Sequence, residues 1–336
     1  MPGDDVLRAF YHRRKVFVLG ADGFLGVNCI YALQELGAEV SILTRRPSPR
    51  AVGFSGRVIR GDLRDVAQDS SVLEGQTIVF DFAGVSGAAE SNRNPLRDLE
   101  ENCGAQLSIL QACAKLQPSP LVMFCSSRLV YGKPQYLPVD EAHPIAPQSF
   151  YAAHKVTVEN YLRVLWQTRG LRYCVVRLSN PYGPNQPADA RSYGVINQFI
   201  RTAVEGGPIR IFGNGQQLRD YIFVDDVISA FLLCAMNQQC HGQIFNLGGR
   251  SPIRFKDAAQ CIAMLAGHTP LCLEPWPERY KSVETGDYYT DLKKFDSVVS
   301  LAPPLSFEEG ILRTLGYYRD LHRAAPRASA SARPGS

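Results

Sequence analysis

The sequence predicts an α/β protein built on a doubly wound parallel sheet, with a smaller C-terminal α/β domain. Short apolar runs alternate with helix-periodic segments from Lys15 to Arg177, the pattern of repeated strand–helix–strand units. A glycine-rich turn, Gly20 to Gly26, joins the first apolar run directly to the first helix. The chain has 336 residues, 45% of them hydrophobic, so it is long enough to bury the core of such a fold.

Strands are predicted where apolar runs are bounded by turn residues. In chain order they are residues 15–19, 39–43, 57–60, 77–82, 121–125 and 173–177, then 209–212, 218–224 and 243–247. Helices are predicted at residues 24–36, 94–115, from Tyr151 onward, 195–205, 225–236 and 255–265, with two closing helices that end near Tyr318. In the helix 94–115 we expect the core face to consist of Leu96, Leu99, Leu107, Leu110 and Ala114. We expect Asp225 and Asp226 to cap the helix that ends at Met236.

Composition and charge exclude several classes of protein. The formal net charge is +4 and no basic face is interleaved with aromatic residues, so nucleic-acid binding is not expected. No apolar run reaches the ~18 residues needed to span a membrane, and the N-terminus lacks a secretory hydrophobic region. The nine cysteines form no Cys-x-x-Cys pair, which predicts reduced thiols of a cytoplasmic protein and no metal site.

The glycine turn is typical of phosphate binding. Gly20, Gly23 and Gly26 follow the spacing Gly-x-x-Gly-x-x-Gly between a strand and a helix. Glycines let the backbone approach a pyrophosphate, and the helix N-terminus supplies amide donors and the positive end of a dipole. A purely structural turn is the alternative, but the flanking strand and helix favour the dinucleotide site of a Rossmann unit.

The ends of the next strands bear on the cofactor. An NAD site usually carries Asp or Glu after the second strand, whereas this chain has Thr44-Arg45-Arg46, whose guanidiniums suit a phosphate. We therefore predict NAD or NADP with a preference for NADP; the alternative is that these arginines begin a solvated loop. Asp62 is placed to meet the adenine ring, and the small residues Ala83-Gly84 would let a flat cofactor lie close to the backbone.

Three residues predict acid–base chemistry at the same sheet edge. Tyr151 and Lys155 are four apart on a predicted helix and so share one face. A tyrosine is a poor base because its usual pKa is near ~10, but an ammonium group nearby favours the phenolate. Such a pair can take a proton from a sugar hydroxyl or give one to a ketone. Ser127 follows the fifth strand, where doubly wound sheets contact ligands; the alternatives are a solvated hydroxyl and a half-buried tyrosine beside a solvated lysine.

These motifs occur in an order that resembles the extended short-chain dehydrogenase/reductase family, specifically its nucleotide-sugar epimerase/dehydratase group: the glycine turn, Asp62, Ala83-Gly84, Ser127, Tyr151-x-x-x-Lys155 and Asn180-Pro-Tyr-Gly-Pro184. The resemblance covers roughly residues 15–318. It implies a dinucleotide-binding Rossmann core at 15–180 and a mainly substrate-binding domain at 181–320, from which about 216–247 returns to the core. Residues 1–14 would be a polar lead-in and 321–336 a disordered tail.

The resemblance implies that Tyr151 is the acid/base, that Lys155 orients it and holds the nicotinamide ribose, and that Ser127 hydrogen-bonds the reacting oxygen. Predicted cofactor contacts are Gly20, Asp22, Gly23, Phe24, Leu25, Gly26, Thr44, Arg45, Arg46, Asp62, Leu63, Phe82, Ala83, Gly84, Asn102, Tyr151 and Lys155. Predicted substrate contacts are Val85, Ser86, Ser127, Arg128, Asn180, Val195, Arg219 and Asp287. By resemblance Arg219 meets the sugar diphosphate, with an ordinary salt bridge as the alternative.

The chain departs from the family pattern at three places. Arg128-Leu129 stand where the sugar dehydratases carry an Asp-Glu pair, so dehydratase activity is not expected. Glu284-Thr-Gly-Asp287 replaces a common Arg-Pro-Gly-Asp segment; because a glutamate would repel a phosphate, we expect Lys281, Arg250 or Arg279 to substitute, or the substrate to be held differently. The third departure is the missing carboxylate after the second strand, which an NAD site usually carries. Because epimerases keep NAD tightly bound, its absence weakens the epimerase interpretation.

Three functions remain open from the sequence. The leading hypothesis is an NAD(P)-dependent nucleotide-sugar epimerase that acts by reversible hydride transfer at C4 of an NDP-hexose. The alternative is an NADPH-dependent NDP-4-keto-6-deoxyhexose reductase, which would use the same residues. A non-catalytic dinucleotide-binding sensor is disfavoured because Ser127, Tyr151 and Lys155 are all present. The expected partner is a nucleotide-diphosphate sugar, and the resemblance implies a homodimer through helices 95–115 and 151–168.

Overall fold

The computed structural model describes residues 2–66, 69–187 and 194–324. The strands are Lys15–Leu19 (β1), Glu39–Thr44 (β2), Arg57–Arg60 (β3), Ile78–Asp81 (β4), Leu121–Ser127 (β5), Tyr173–Leu178 (β6), Asn180–Tyr182 (β7), Ile209–Phe212 (β8), Leu218–Phe223 (β9), Gln243–Leu247 (β10), Pro252–Arg254 (β11) and Leu271–Glu274 (β12). The α-helices are Pro2–Tyr11 (α1), Phe24–Glu35 (α2), Leu63–Val66 (α3), Ala88–Arg93 (α4), Pro95–Leu99 (α5), Ala105–Lys115 (α6), Phe150–Arg169 (α7), Val195–Val204 (α8), Val224–Met236 (α9), Phe255–Ala266 (α10), Glu278–Lys281 (α11), Lys293–Asp296 (α12) and Phe307–Ala324 (α13).

The main sheet confirms the predicted doubly wound architecture. Its seven strands are all parallel and lie in the order β3-β2-β1-β4-β5-β6-β10. The strand order reverses between β1 and β4, and doubly wound sheets bind ligands at the crevice that opens there, at the carboxyl ends of the strands. The main-sheet strands lie at the predicted positions, with ends shifted by about one or two residues.

Both faces of this sheet are covered by helices, which is why its strands read as continuous apolar runs. Val16 and Val18 of β1 pack with α1, α2 and α9 on one face. Phe17 and Leu19 of the same strand pack with α6 and α7 on the other face. Side chains alternate across a strand, so one apolar run serves both layers of the core.

The first fourteen residues contain a helix instead of the expected polar lead-in. Leu7 and Tyr11 of α1 are four apart, so they lie on one face of the helix and are buried against the main core. The Tyr11 hydroxyl donates a hydrogen bond of 2.9 Å to the carbonyl of Leu232 in α9. The apolar stripe was present in the sequence but too short to stand out among the charged residues around it.

A smaller unit packs over the carboxyl edge of the main sheet. β7, β9 and β11 form a three-stranded sheet and β8 pairs with β12, while α8, α10 and α13 enclose a separate core. Of the stretch 216–247, expected to return to the main core, α9 and β10 pack with the main sheet, whereas β9 pairs with β7 and β11. The assignment of this unit to substrate binding stays a prediction.

Several local expectations were wrong. The helix predicted at 94–115 is divided into α5, a π-helical turn at Glu100–Gly104 and α6, and Leu96 is 76% exposed instead of lying on the core face. Leu99 is also exposed, whereas Leu110 and Ala114 of the same predicted face are buried as expected. Asp225 and Asp226 lie inside the first turn of α9, whose N-cap, Phe223, makes no side-chain capping bond.

α13 continues through Ala324, so the first four residues of the predicted tail are helical, and 325–336 lie outside the described residues. Each of the nine cysteines is a free thiol. No helix in the described part of the chain is both long and apolar enough to cross a bilayer.

Candidate active site

A cavity of about 790 Å³ lies at the carboxyl edge of the main sheet, between that sheet and the smaller unit. Its walls bring together most of the predicted site residues. Those that line it are Gly23, Phe24, Leu25, Gly26, Phe82, Ala83, Gly84, Ser86, Ser127, Arg128, Tyr151, Lys155, Asn180, Val195 and Arg219. The predicted residues outside its lining are Gly20, Asp22, Thr44, Arg45, Arg46, Asp62, Leu63, Val85, Asn102 and Asp287.

The glycine turn is packed too tightly for side chains. A Cβ on Gly20 would lie 2.6 Å from the carbonyl carbon of Phe82, and Gly20 has φ +72°, which also favours glycine. A Cβ on Gly26 would lie 2.1 Å from the Gly20 oxygen. Gly23 forms the N-cap of α2 without a side-chain capping bond, so the first amides of this helix are free of a side-chain acceptor. These features fit the cradle of a dinucleotide pyrophosphate.

Asp22 and Thr44, both predicted cofactor contacts, bond to each other through their side chains. The Asp22 carboxylate accepts from the Thr44 hydroxyl and, at 2.9 Å, from the backbone amide of Arg50. The Arg50 guanidinium in turn donates to the Asp22 carbonyl at 2.7 Å. These bonds tie the loop after β2 to the glycine turn, a positioning role that the sequence did not reveal for Arg50.

The residues predicted to select the cofactor lie together at the ends of β2 and β3. Arg45 and Arg46 are exposed, and the guanidinium of Arg45 lies 3.7 Å from the Asp62 carboxylate. Asp62 also accepts from the Nε of Arg64 at 2.7 Å, and this hydrogen bond holds the pKa of Asp62 below its usual value. Leu63 begins α3 directly after Asp62 and is partly buried. A cation cluster therefore stands where the family usually places a single carboxylate.

The segment after β4 is fixed by Asn102. This buried amide accepts from the backbone N–H of Val85 at 3.0 Å and donates to the Val85 carbonyl at 2.9 Å. Gly84 has φ +136°, and a Cβ there would lie 2.4 Å from the Asn102 oxygen. Asn102 and Val85 thus shape the wall to which Gly84 and Ser86 contribute, and they lie outside the cavity lining itself.

Ser127, Tyr151 and Lys155 converge on the cavity from two elements. Ser127 ends β5, and its hydroxyl accepts a hydrogen bond of 3.2 Å from the Leu129 amide. Ser149 caps α7 by accepting from the amide of Ala152, which places Tyr151 in the first turn of the helix. The Lys155 ammonium lies 5.8 Å from the Tyr151 ring centroid and donates to the Cys125 carbonyl at 2.8 Å. The phenol, amine and hydroxyl can therefore act on one bound molecule.

Asp81, at the end of β4, is a buried charge near these groups that sequence reasoning missed. It is fully buried, and its Oδ1 accepts from the Ala83 amide at 3.1 Å and from Gln106 at 3.2 Å. Burial raises the pKa of Asp81 to about 6, although the positive charge of Lys155 acts in the opposite direction. An aspartate at the end of an otherwise apolar strand was the available signal.

At the substrate end, several predicted contacts are engaged within the protein. The Asn180 amide donates to the Ser179 hydroxyl at 2.9 Å and to the Asp220 carbonyl at 3.0 Å. Arg219 donates to the Gly286 carbonyl and to the carboxylate of Glu284. Asp287 accepts from the Leu218 amide at 2.8 Å and supports β9 from outside the cavity.

The residues expected to substitute for a family arginine are divided by the structure. Arg250 forms two hydrogen bonds with Asp296, 2.7 and 2.8 Å long, at the protein surface, and neither it nor Lys281 lines the cavity. Arg279 does line it, with its guanidinium 4.7 Å from the Tyr280 ring. Sequence reasoning missed further lining residues from the smaller unit, which no motif marked: Arg210, Phe212, Tyr221, Phe255, Trp276 and Tyr280.

In the described part of the chain, no group of three or more His, Cys, Asp or Glu residues is arranged to hold a metal ion. The cavity itself contains a phenol, an amine, a hydroxyl and several arginines. These groups suit proton transfer next to a bound anion.

Known proteins resemble this chain over nearly its whole length. The model of the NAD dependent epimerase/dehydratase family matches residues 16–248. A putative UDP-glucose 4-epimerase of Methanocaldococcus jannaschii is 29% identical over 311 residues, which cover 92% of this chain and 99% of the relative. The crystal structure of UDP-glucose 4-epimerase from Thermotoga maritima with UDP-glucose has a TM-score of 0.84 at 25% identity and covers 92% of this chain and 99% of that one.

A second solved structure, the UDP-glucose 4-epimerase of Thermus thermophilus in complex with NAD, has a TM-score of 0.81 at 27% identity and covers 93% of this chain and all of that one. The stretch matched by the family model contains the glycine turn, Ser127, Tyr151, Lys155 and Arg219. It also spans most of the main sheet. The chain therefore belongs to the NAD dependent epimerase/dehydratase family.

Proposed function

We propose that the protein is an NAD(P)-dependent nucleotide-sugar epimerase that acts by reversible hydride transfer at C4 of an NDP-hexose. The observation that carries the proposal is the convergence of Ser127, Tyr151 and Lys155 on the cavity that also contains the glycine turn and Arg219. The relatives named above as UDP-glucose 4-epimerases support it, since they match at least 92% of this chain and at least 99% of their own length.

The proposed roles follow from position. Tyr151 takes the proton of the C4 hydroxyl and returns it, and Lys155 orients the phenol and holds the nicotinamide ribose. Ser127 donates its hydroxyl proton to the reacting oxygen, because the hydrogen bond from the Leu129 amide uses the Ser127 oxygen only as an acceptor. The glycine turn and the N-terminus of α2 would hold the pyrophosphate of the dinucleotide.

When bound, the nicotinamide supplies the ring that exchanges a hydride with C4. We propose NADP as the preferred form, because Arg45 and Arg46 are exposed beside the site and no carboxylate follows β2. The opposing observation is the NAD in the Thermus thermophilus relative, and the contact of Arg45 with Asp62 is the competing structural role.

The same arginines favour one alternative function, the NADPH-dependent reduction of an NDP-4-keto-6-deoxyhexose. Epimerases retain their cofactor, whereas reductases release it oxidised. Dehydration is not proposed, because Arg128 and Leu129 line the cavity at the place of the dehydratase acid and base. A non-catalytic sensor would have no need of the converging phenol, amine and hydroxyl.

The test is to purify the protein, identify any retained dinucleotide and assay a panel of nucleotide sugars. An epimerase gives the C4 epimer with no net change in nicotinamide absorbance. Stoichiometric loss of NADPH with a keto-sugar would instead establish the reductase. Binding of dinucleotide and sugar without any turnover would contradict both and favour the sensor.

A further inference from the structure

Two buried arginines stand side by side in the substrate end of the cavity. Arg128 follows Ser127, Arg219 lies in β9, and their side chains reach the same short segment, residues 284–286. Arg128 donates to the Thr285 hydroxyl at 3.1 Å, and its guanidinium lies 4.7 Å from the Tyr288 ring. Arg219 donates to the Gly286 carbonyl and the Glu284 carboxylate. Segment 284–286 therefore covers both guanidiniums.

The charges of the two arginines are not compensated equally. Arg219 has an ion pair with Glu284, whereas Thr285 is the one hydrogen-bond acceptor that Arg128 has among the described residues. Burial, followed by the positive charge of Arg219, lowers the pKa of Arg128 to about 10. The nearby Asp220 also acts on Arg128, but its carboxylate is bonded to Ser179 and Thr290. A buried guanidinium with no carboxylate partner destabilises the fold unless an anion binds it.

We propose that Arg128 completes the diphosphate site that the family resemblance assigns to Arg219, and that the Glu284 carboxylate occupies this site until the diphosphate of the nucleotide sugar displaces it. The inference rests on the proposed function for the identity of the anion. Two adjacent guanidiniums match the two charged groups of a diphosphate better than the single charge of a sugar carboxylate. The proposal also explains the glutamate at position 284. Its carboxylate competes with the diphosphate for the arginines, so the cavity still has an anion-binding site.

Glu284 is placed so that it can leave. Its side chain is 27% exposed, and it lies after α11 in a stretch without regular structure. Its Oε1 also accepts a hydrogen bond of 3.0 Å from the backbone amide of Gly286, and the displacement would break this bond together with the ion pair to Arg219. The alternative is a structural role, in which the two arginines only hold segment 284–286 in place.

The test measures binding by the full chain, with inorganic pyrophosphate, UDP and UDP-glucuronate as the probes. Arg128→Met should weaken pyrophosphate and UDP about tenfold to a hundredfold, the range of charge-assisted hydrogen bonds, and Arg128→Lys should lie between. Glu284→Gln should tighten both probes about tenfold because it removes the competing carboxylate. Arg250→Met, which removes a surface guanidinium paired with Asp296, is the matched control and should change neither.

Dinucleotide binding and the melting temperature show whether each variant is folded. If Arg128→Met does not fold, the effect of Glu284→Gln on pyrophosphate and UDP affinity decides the test. The proposal is overturned if pyrophosphate and UDP affinity are unchanged in a folded Arg128→Met, as the structural role requires, or if Glu284→Gln fails to tighten them. Loss of affinity for UDP-glucuronate alone would assign Arg128 to a sugar carboxylate and also overturn it. These binding results do not depend on turnover, so an anion site without epimerisation would refute the proposed function while leaving this inference standing.

Discussion

The substitution Asp81→Asn tests how the buried charge beside the candidate active site affects the stability of the fold. Asp81 is fully buried, its pKa is raised from 3.8 to about 6 by burial, and Lys155 offsets part of that rise. Because the folded state favours the protonated acid, Asp81 does not destabilise the fold below about pH 4 and destabilises it fully above pH 6. A rise from 3.8 to about 6 corresponds to roughly 3 kcal/mol.

Asparagine preserves shape but cannot ionise. Its oxygen can accept the bonds that Asp81 Oδ1 accepts from Ala83 and Gln106, whereas its amide would take the place of Oδ2, which has no partner among the described residues. An unsatisfied buried amide costs about 1–3 kcal/mol at every pH. The variant is therefore expected to be less stable than the parent near pH 4 and to recover about 3 kcal/mol relative to it by pH 7.5.

The assay is urea unfolding of both proteins from about pH 4 to about pH 7.5, with the difference in unfolding free energy plotted against pH. Subtracting the two curves removes the titration of every other carboxylate. Lys155→Met should enlarge the effect, because it removes the cation that lowers the pKa of Asp81. A difference that stays flat with pH, or that is indifferent to Lys155, would refute the electrostatic reasoning.

Three further predictions concern the reaction, the cofactor and the assembly. Tyr151→Phe should reduce turnover about 10²- to 10⁴-fold, as expected for loss of an acid/base, while dinucleotide affinity stays within about twofold of the parent; turnover near the parent level would exclude Tyr151 as the acid/base. Arg45→Ala should weaken NADP binding about tenfold and leave NAD binding unchanged, because only NADP carries the 2′-phosphate. Calorimetry measures both affinities, and an equal loss for the two cofactors would assign Arg45 to the Asp62 contact. Leu96 is 76% exposed on α5 and Phe150 is 47% exposed on α7, the helices through which the family resemblance implies a homodimer. Leu96→Glu should therefore halve the mass measured by light scattering, and a parent that is already monomeric would contradict the expected dimer.

Most of the main sheet could be predicted because its signal is local. A strand buried on both faces is a continuous apolar run. The strand at Val16 to Leu19 could therefore be predicted without knowing which elements pack against it. The same holds for the glycine turn, where spacing and context coincide. α1 was missed because its stripe consists of little more than Leu7 and Tyr11, and its burial depends on contact with α9.

The parts of the site that could not be predicted depend on contacts between residues that are far apart in the sequence. Glu284 is 65 residues from Arg219 in the chain, and nothing in either local sequence indicates that the two side chains meet. Arg128 could be named as a cavity residue from its position after Ser127, but not that Thr285 would be its hydrogen-bond partner. Leu96 shows the converse, since a helix-periodic leucine was expected in the core and lies on the surface.

The most direct test of the central claim follows an isotope at the reacting carbon. Nucleotide hexoses that carry deuterium at C4 are incubated with the purified protein, and the product is examined by NMR and mass spectrometry. The account predicts the C4 epimer with deuterium retained at C4 and no net oxidation or reduction of the nicotinamide. Loss of the deuterium to solvent, or inversion at a different carbon, would contradict reversible hydride transfer between C4 and the nicotinamide.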